Sequence, residues 1–151
     1  MLAYREATKE DIPLIYKYIK ELAAYEGLAD EVTTNEQILE EWIFDKKGAE
    51  VIFPEIEGKE IGFCLYFYNF STFLGRSGLY IEDLFIEEKY RGKGYGKQLL
   101  NKMFQIAKEK QLGRVEWWCL DENKASIDFY KAQGAQPMDE WTVFRVETKD
   151  V

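Results

Sequence analysis

The sequence predicts an α+β domain built around a mixed β-sheet, and three observations predict it. Apolar residues recur at helical spacing up to about residue 44. From Val51 to Ile86 the pattern changes to β-branched and aromatic runs separated by turn residues. After a glycine-rich loop, helical and strand patterns alternate to the end of the chain. The predicted order is βααβββαβαβ, in one domain spanning residues 1–151.

Leu2 to Glu6 reads as a first strand. Thr8-x-x-Asp11 resembles a capping box opening a helix whose apolar residues are Ile12, Ile15, Tyr16, Ile19, Leu22 and Ala23. Thr34-x-x-Gln37 predicts the cap of a second helix reaching about Phe44, with Ile38 and Trp42 on one side. Val51 to Ile56, Ile61 to Phe70 and Leu79 to Ile86 form the expected antiparallel meander, punctuated by Glu57–Glu60 and Gly75–Gly78. Leu99, Met103, Ile106 and Ala107 define a further helix stopped at Gly113. Val115 to Leu120 is the next strand, Asn123 caps a short helix through Ala132 that Gly134 ends, and Thr142 to Val146 is expected to close the sheet.

Composition narrows the chemistry. At 151 residues the chain is long enough for one sizeable core, and no apolar run approaches the length that spans a bilayer. Cys64 and Cys119 are the two cysteines, both in strand-like segments, so a reducing compartment, by default the cytoplasm, is expected. The absence of histidine excludes Ser-His-Asp and Cys-His catalysis and removes the commonest zinc ligand; no metal site is expected. A net charge of −8 argues against nucleic-acid binding and favours cationic partners.

The most informative stretch is Tyr80 to Leu100, where a strand carrying adjacent acids feeds the loop Arg91-Gly-Lys-Gly-Tyr-Gly-Lys97 and then a helix. Glycines let the backbone approach a ligand closely, and the first N–H groups of the helix point at whatever sits there. Lys93 and Lys97 add positive charge. A dinucleotide fingerprint would need glycine at Lys97, and a Walker loop would need Ser or Thr at Gln98. Spacing alone leaves open a phosphate socket and a plain glycine turn.

Arg91-x-x-Gly94-x-Gly96 after a strand resembles the acyl-CoA pyrophosphate loop of the GNAT acetyltransferase superfamily. The strand Tyr80-Ile-Glu-Asp-Leu-Phe-Ile86 resembles its diamine (spermidine/spermine) N-acetyltransferase branch, which has a close relative acting on thialysine. Thr72-Phe-Leu-Gly-Arg76, Asn123-x-x-Ser-Ile-Asp-Phe-Tyr-Lys-x-x-Gly-Ala135 and Glu21-Leu-Ala-Ala-Tyr-Glu26 extend the likeness over nearly the whole chain. The resemblance implies the GNAT fold and acetyl transfer from acetyl-CoA to a primary amine, either a polyamine or a lysine-like amino acid. A protein amine and a noncatalytic acyl-CoA-binding module are the alternatives. A homodimer is the implied assembly.

The implied coenzyme A contacts are the strand backbone at Leu84, Phe85 and Ile86, the loop residues Arg91, Gly92, Lys93, Gly94, Tyr95, Gly96 and Lys97, and Asn123, Lys124, Ala125 and Ser126. An alkylammonium near pKa ~10.4 must lose a proton before attack. Glu82 is the first choice of base, through a water, and Asp83 the second, since alternation turns Asp83 to the other face unless a bulge intervenes. Read without the family, such a pair is more often a set of solvated or helix-pairing acids at a strand end than a catalytic one.

Tyr130 matches the family's proton-donating tyrosine, although Phe129 and Tyr130 also read as plain aromatic anchors. Tyr25, Glu26, Glu82, Glu116, Trp117 and Trp118 match its amine-binding positions, and alternation allows only one of the two tryptophans to face a given side. Cys64 and Cys119 lie in hydrophobic runs where thiols are usually inert, so direct transfer in a ternary complex is expected rather than an acyl-cysteine route.

Overall fold

The computed structural model describes Met1–Val151, in two compact units, Met1–Trp118 and Cys119–Val151. The first unit holds a six-stranded sheet in the order β1-β2-β4-β5-β6, with a short β3 paired on β2. Its elements are β1 (Ala3–Glu6), α1 (Ile12–Tyr25), α2 (Glu36–Glu40), β2 (Glu50–Ile56), β3 (Lys59–Glu60), β4 (Gly62–Ser71), β5 (Arg76–Ile86), α3 (Tyr95–Glu109) and β6 (Val115–Trp117). The expected meander is β2, β4 and β5, all antiparallel, and β6 joins β5 in parallel. No helix is long and apolar enough to cross a membrane.

Local chemistry accounts for the start of the chain. The Thr8 N–H donates to the Asp11 carboxylate at 2.8 Å, closing a 3₁₀ turn that leads into α1. Pro13 sits in the first turn of α1, where a missing N–H is least costly. Arg5 ties β1 to that turn and to the neighbouring strands, with its guanidinium 2.8 Å from Asp11, 3.2 Å from Glu55 and 2.7 Å from Glu60.

The core differs from the predicted helix face in one position. Ile12, Ile15 and Tyr18 are buried with Val51, Phe53, Phe63 and Phe85, whereas Tyr16 reaches outward to donate to the Thr34 carbonyl at 3.1 Å. Tyr18 is acceptable in the core because its hydroxyl donates to Glu87 at 2.6 Å, so its one polar group is satisfied. This bond also fixes α1 against the residue that follows β5.

Four further expectations are corrected. Asn35, not Thr34, caps α2 by accepting from the Ile38 N–H at 2.9 Å. The helix gives way at Glu41–Asp45 to a π-helical turn, so Ile43 is buried while Ile38 and Trp42 are exposed. α3 ends at Glu109 and the chain turns at Gln111 with φ +59°, while Gly113 is a close-packing glycine against Leu74 and Arg76. The strand at Val115 stops at Trp117 rather than Leu120.

The second unit contains α4 (Lys124–Ala132). Asn123 caps it, accepting from the Ser126 N–H at 3.2 Å, and Gly134 follows its end with φ +94°, both as expected. Thr142 to Val146 is not a strand: it joins no sheet, and Val143, Phe144 and Val146 are exposed. β-propensity describes a fit to a pleated, half-buried surface, so the residue pattern alone does not make a strand without a neighbour to pair with.

Candidate active site

The glycine loop has the geometry of a main-chain anion cradle. Gly92 and Gly94 take φ +78° and +83°, values that other residues adopt only at a cost. Gly94 immediately precedes α3 and no side chain caps that end. The first intrahelical bond runs from the Gln98 N–H to the Gly94 carbonyl, which leaves the N–H groups of Tyr95, Gly96 and Lys97 without helical acceptors. A Cβ added at Gly92, Gly94 or Gly96 would meet nothing within 4 Å, so the space immediately in front of the loop is open. Exposed Lys93 and Lys97 flank it.

The strand leading to the loop has a free edge. β5 pairs with β6 only from Leu79/Val115 to Ile81/Trp117, and beyond that point β5 runs on to Ile86 with no β6 partner. Its other edge stays paired with β4. Alternate residues between Glu82 and Ile86 therefore turn main-chain groups toward a ligand on one side, as expected for pantetheine amides along this stretch. Phe85 points into the core against Tyr18. Because the Glu87 N–H donates to the Ile61 carbonyl, the register turns the main-chain groups of Phe85 toward β4 and those of Leu84 and Ile86 toward the free edge. Arg91 closes the far end, its Nε donating to the Ile86 carbonyl at 2.8 Å.

A bulge decides where the acids go. Leu65 pairs with Asp83 and Tyr66 with Ile81, so Glu82 is the extra residue. The bulge disrupts the strict alternation that would have sent Asp83 to the opposite face. Leu65, its cross-strand partner, packs toward the α1 core. Burial, then the charges of Glu82 and Glu26, push the Asp83 carboxyl up to about 7. The Glu26 carboxyl is also raised, first by partial desolvation and then by Glu82. Three carboxyl groups from the end of α1 and the middle of β5 thus share one field.

Aromatic side chains line the sheet beside them. Tyr80 stacks on Phe67 with centroids 4.9 Å apart and meets Trp118 edge-on at 6.2 Å. Its phenol is held protonated by burial and by the charges of Glu82 and Glu116. Glu116 accepts from Asn69 at 3.1 Å and lies 3.4 Å from the Arg114 guanidinium, so its charge is partly engaged. Trp117, which the sequence grouped with the acceptor residues, has its ring 6.1 Å from that of Phe104 of α3. Alternation sends the two tryptophans to opposite faces, and Trp118 takes the Tyr80 side. In the second unit, Phe129 and Tyr130 on α4 contact each other edge-on at 5.5 Å.

Residues 15–135 match the model of the Acetyltransferase (GNAT) family. The chain belongs to that family. It is 35% identical to a thialysine N-epsilon-acetyltransferase of Bos taurus across 95% of this chain and 91% of that protein. It is 29% identical to an L-ornithine N5-acetyltransferase of Arabidopsis thaliana, covering 94% of this chain and 82% of the other. A solved integron cassette protein from the mobile metagenome of V. cholerae superposes with a TM-score of 0.79 at 28% identity, covering 97% of this chain and 92% of that one. The protein is therefore an N-acetyltransferase, and its sheet and flanking helices are those of the GNAT fold.

Two members of the acetyltransferase's aromatic wall, Phe67 and Tyr80, were not singled out from the sequence. The available signal was the alternation Tyr80, Glu82 on a strand already marked by its acids, with Phe67 in the antiparallel partner. The raised Asp83 carboxyl also has a measurable cost. Its ordinary value is 3.8 and in the fold it stands near 7, so it contributes stability fully below the ordinary value and loses it as pH rises through about 7. Asp83→Asn removes the buried charge. The variant should unfold at higher denaturant than the parent at pH 8, by roughly 1–3 kcal/mol, with the difference shrinking toward pH 4. Identical pH dependence in the two proteins would contradict this assignment.

Proposed function

We propose that this enzyme transfers the acetyl group of acetyl-CoA to a primary amine of a small cationic acceptor, a lysine-like amino acid such as thialysine or a polyamine, by direct attack in a ternary complex across residues 1–151. The observation that carries the reading is the bulge, which puts Glu82 and Asp83 beside an unpaired strand edge that runs straight into the glycine loop. The residues fit the donor: Gly92, Gly94 and Gly96 leave open space and free N–H groups for a diphosphate, Lys93 and Lys97 supply charge, and Leu84 and Ile86, on either side of Phe85, turn main-chain groups to the free edge. Asn123, Lys124, Ala125 and Ser126 at the start of α4 complete the proposed coenzyme A contacts, with Asn123 also serving as the helix cap.

Glu82, acting through a water, takes a proton from the ammonium. The freed nitrogen attacks the thioester carbon, the C–N bond forms and the C–S bond breaks. Tyr130 then gives its phenolic proton to the departing thiolate, and the second proton that the new amide nitrogen sheds returns through solvent to the Tyr130 oxygen. An N–H on the free edge of β5 polarises the carbonyl oxygen as charge develops there. Tyr25, Glu26, Glu116 and Trp118 surround the acceptor, carboxylates answering its positive charge and rings its alkyl chain. Relatives named for thialysine and ornithine favour an amino acid carrying a terminal side-chain amine. Cys64 is a poor acyl carrier, since burial and the Asp83 charge hold its thiol protonated.

Thiol release from acetyl-CoA, measured against a panel of thialysine, ornithine, lysine, spermidine, spermine and a lysine-containing peptide, tests the reading. Turnover with a small amine is expected, and Tyr130→Phe should reduce it by about 10²-fold while coenzyme A affinity stays constant. Turnover confined to the peptide, or a Tyr130→Phe variant as active as the parent, would overturn the corresponding part.

A further inference from the structure

Arg91 touches more than the loop to which it belongs. Its guanidinium carbon lies 4.5 Å from the ring centre of Tyr25 and 5.1 Å from that of Phe85, while Nε is fixed on the Ile86 carbonyl. A guanidinium stacks through its faces and donates through its edge, so two aromatic contacts leave the Nη groups free for an anion. Tyr25 is the last residue of α1 and 62% exposed, and Glu26 caps that helix end. Gly27 follows with φ +73°, where the chain turns away. The end of α1 therefore rests on the cofactor loop through the Tyr25–Arg91 stack. Glu26 in turn lies within the field of Glu82 and Asp83.

We propose that Arg91 and Tyr25 form a positioning link between the two ligand sites, through which occupation of the diphosphate loop fixes Tyr25 and Glu26 and tightens amine binding. The inference rests on the functional reading above. With the loop empty, the guanidinium is held at Nε and by its stacking contacts. A diphosphate on the Nη edge immobilises it, and the ring stacked on it is immobilised in turn. Linkage requires the effect to be reciprocal, so the amine must tighten coenzyme A by the same factor.

Calorimetry with coenzyme A and thialysine, each titrated alone and with the other saturating, tests the link; spermidine serves as a second amine probe. The parent protein is expected to show each ligand tightening the other by about fivefold or more. Tyr25→Leu should bring that factor close to one while coenzyme A affinity measured alone changes little, and Tyr25→Phe should keep it, because the ring is retained. If Tyr25 were only part of the amine pocket wall, Tyr25→Leu would weaken amine binding equally with and without coenzyme A. An unchanged factor in that variant, or a factor of one in the parent for both amines, overturns the link while leaving the acetyl-transfer reading intact. Absence of coenzyme A binding to the folded parent overturns both.

Discussion

Glu82→Gln should lower kcat/KM at pH 7 by about 10²-fold or more, with activity recovering as pH rises toward the amine's own pKa. An alkylammonium near ~10.4 presents less than a thousandth of its population as free amine at neutral pH, so a positioned proton acceptor is worth most there. Glutamine keeps the size of the side chain and removes the basic oxygen, and the bulge does not depend on the carboxylate because it is set by the pairing of Leu65 and Tyr66. The variant should therefore fold and bind coenzyme A as the parent does. A constant reduction at every pH would locate the role of Glu82 in amine binding alone. A small loss, with Asp83→Asn showing the large pH-dependent one, would move the base to the neighbouring residue.

Gly62→Ala is expected to be among the most destabilising single-methyl changes in the chain, roughly 3 kcal/mol or more. A Cβ at Gly62 would fall on the Phe85 carbonyl oxygen and within 3.0 Å of the Ile86 Cα, and both belong to the backbone of the neighbouring strand. Neither can rotate away. Gly62 pairs with Ile86 where β4 supports the free edge of β5, so relief requires the two strands to part beside the proposed pantetheine contacts. For a domain of this size the melting temperature should drop by roughly 6–12 °C. A melting temperature within 2 °C of the parent would show that the strands separate there at little cost.

The contrast between these two positions shows what was legible in the sequence. The loop was, because glycine spacing, flanking lysines and a following helical period are local signals read without knowing any neighbour. The meander, the α4 cap at Asn123 and the capping box at Thr8 were legible for the same reason, although the box opens a 3₁₀ turn and α1 itself starts only at Ile12. Register was not. Whether Asp83 shares the side of Glu82 depends on a slip between Leu65 and Tyr66 in another strand, and alternation along β5 alone cannot report it. Tyr18 was passed over because its polar hydroxyl counts against burial until Glu87, distant in sequence, supplies its partner. Thr142 to Val146 has the composition of a strand, yet pairing is a property of two segments. The Arg91–Tyr25 contact joins residues far apart in the chain and has no local signature at all.

Titration of coenzyme A into the parent protein and into Gly96→Leu tests the main-chain cradle most directly. Gly96 lies in the first turn of α3, and an added Cβ meets nothing within 4 Å, so leucine, a better helix former than glycine, should leave the melting temperature unchanged or higher. The same side chain would occupy the space in which a diphosphate approaches the free N–H groups. The account predicts saturable binding to the parent and at least about tenfold weaker binding to the variant at undiminished stability. Equal affinity in the two proteins, or no binding by the folded parent, would contradict it.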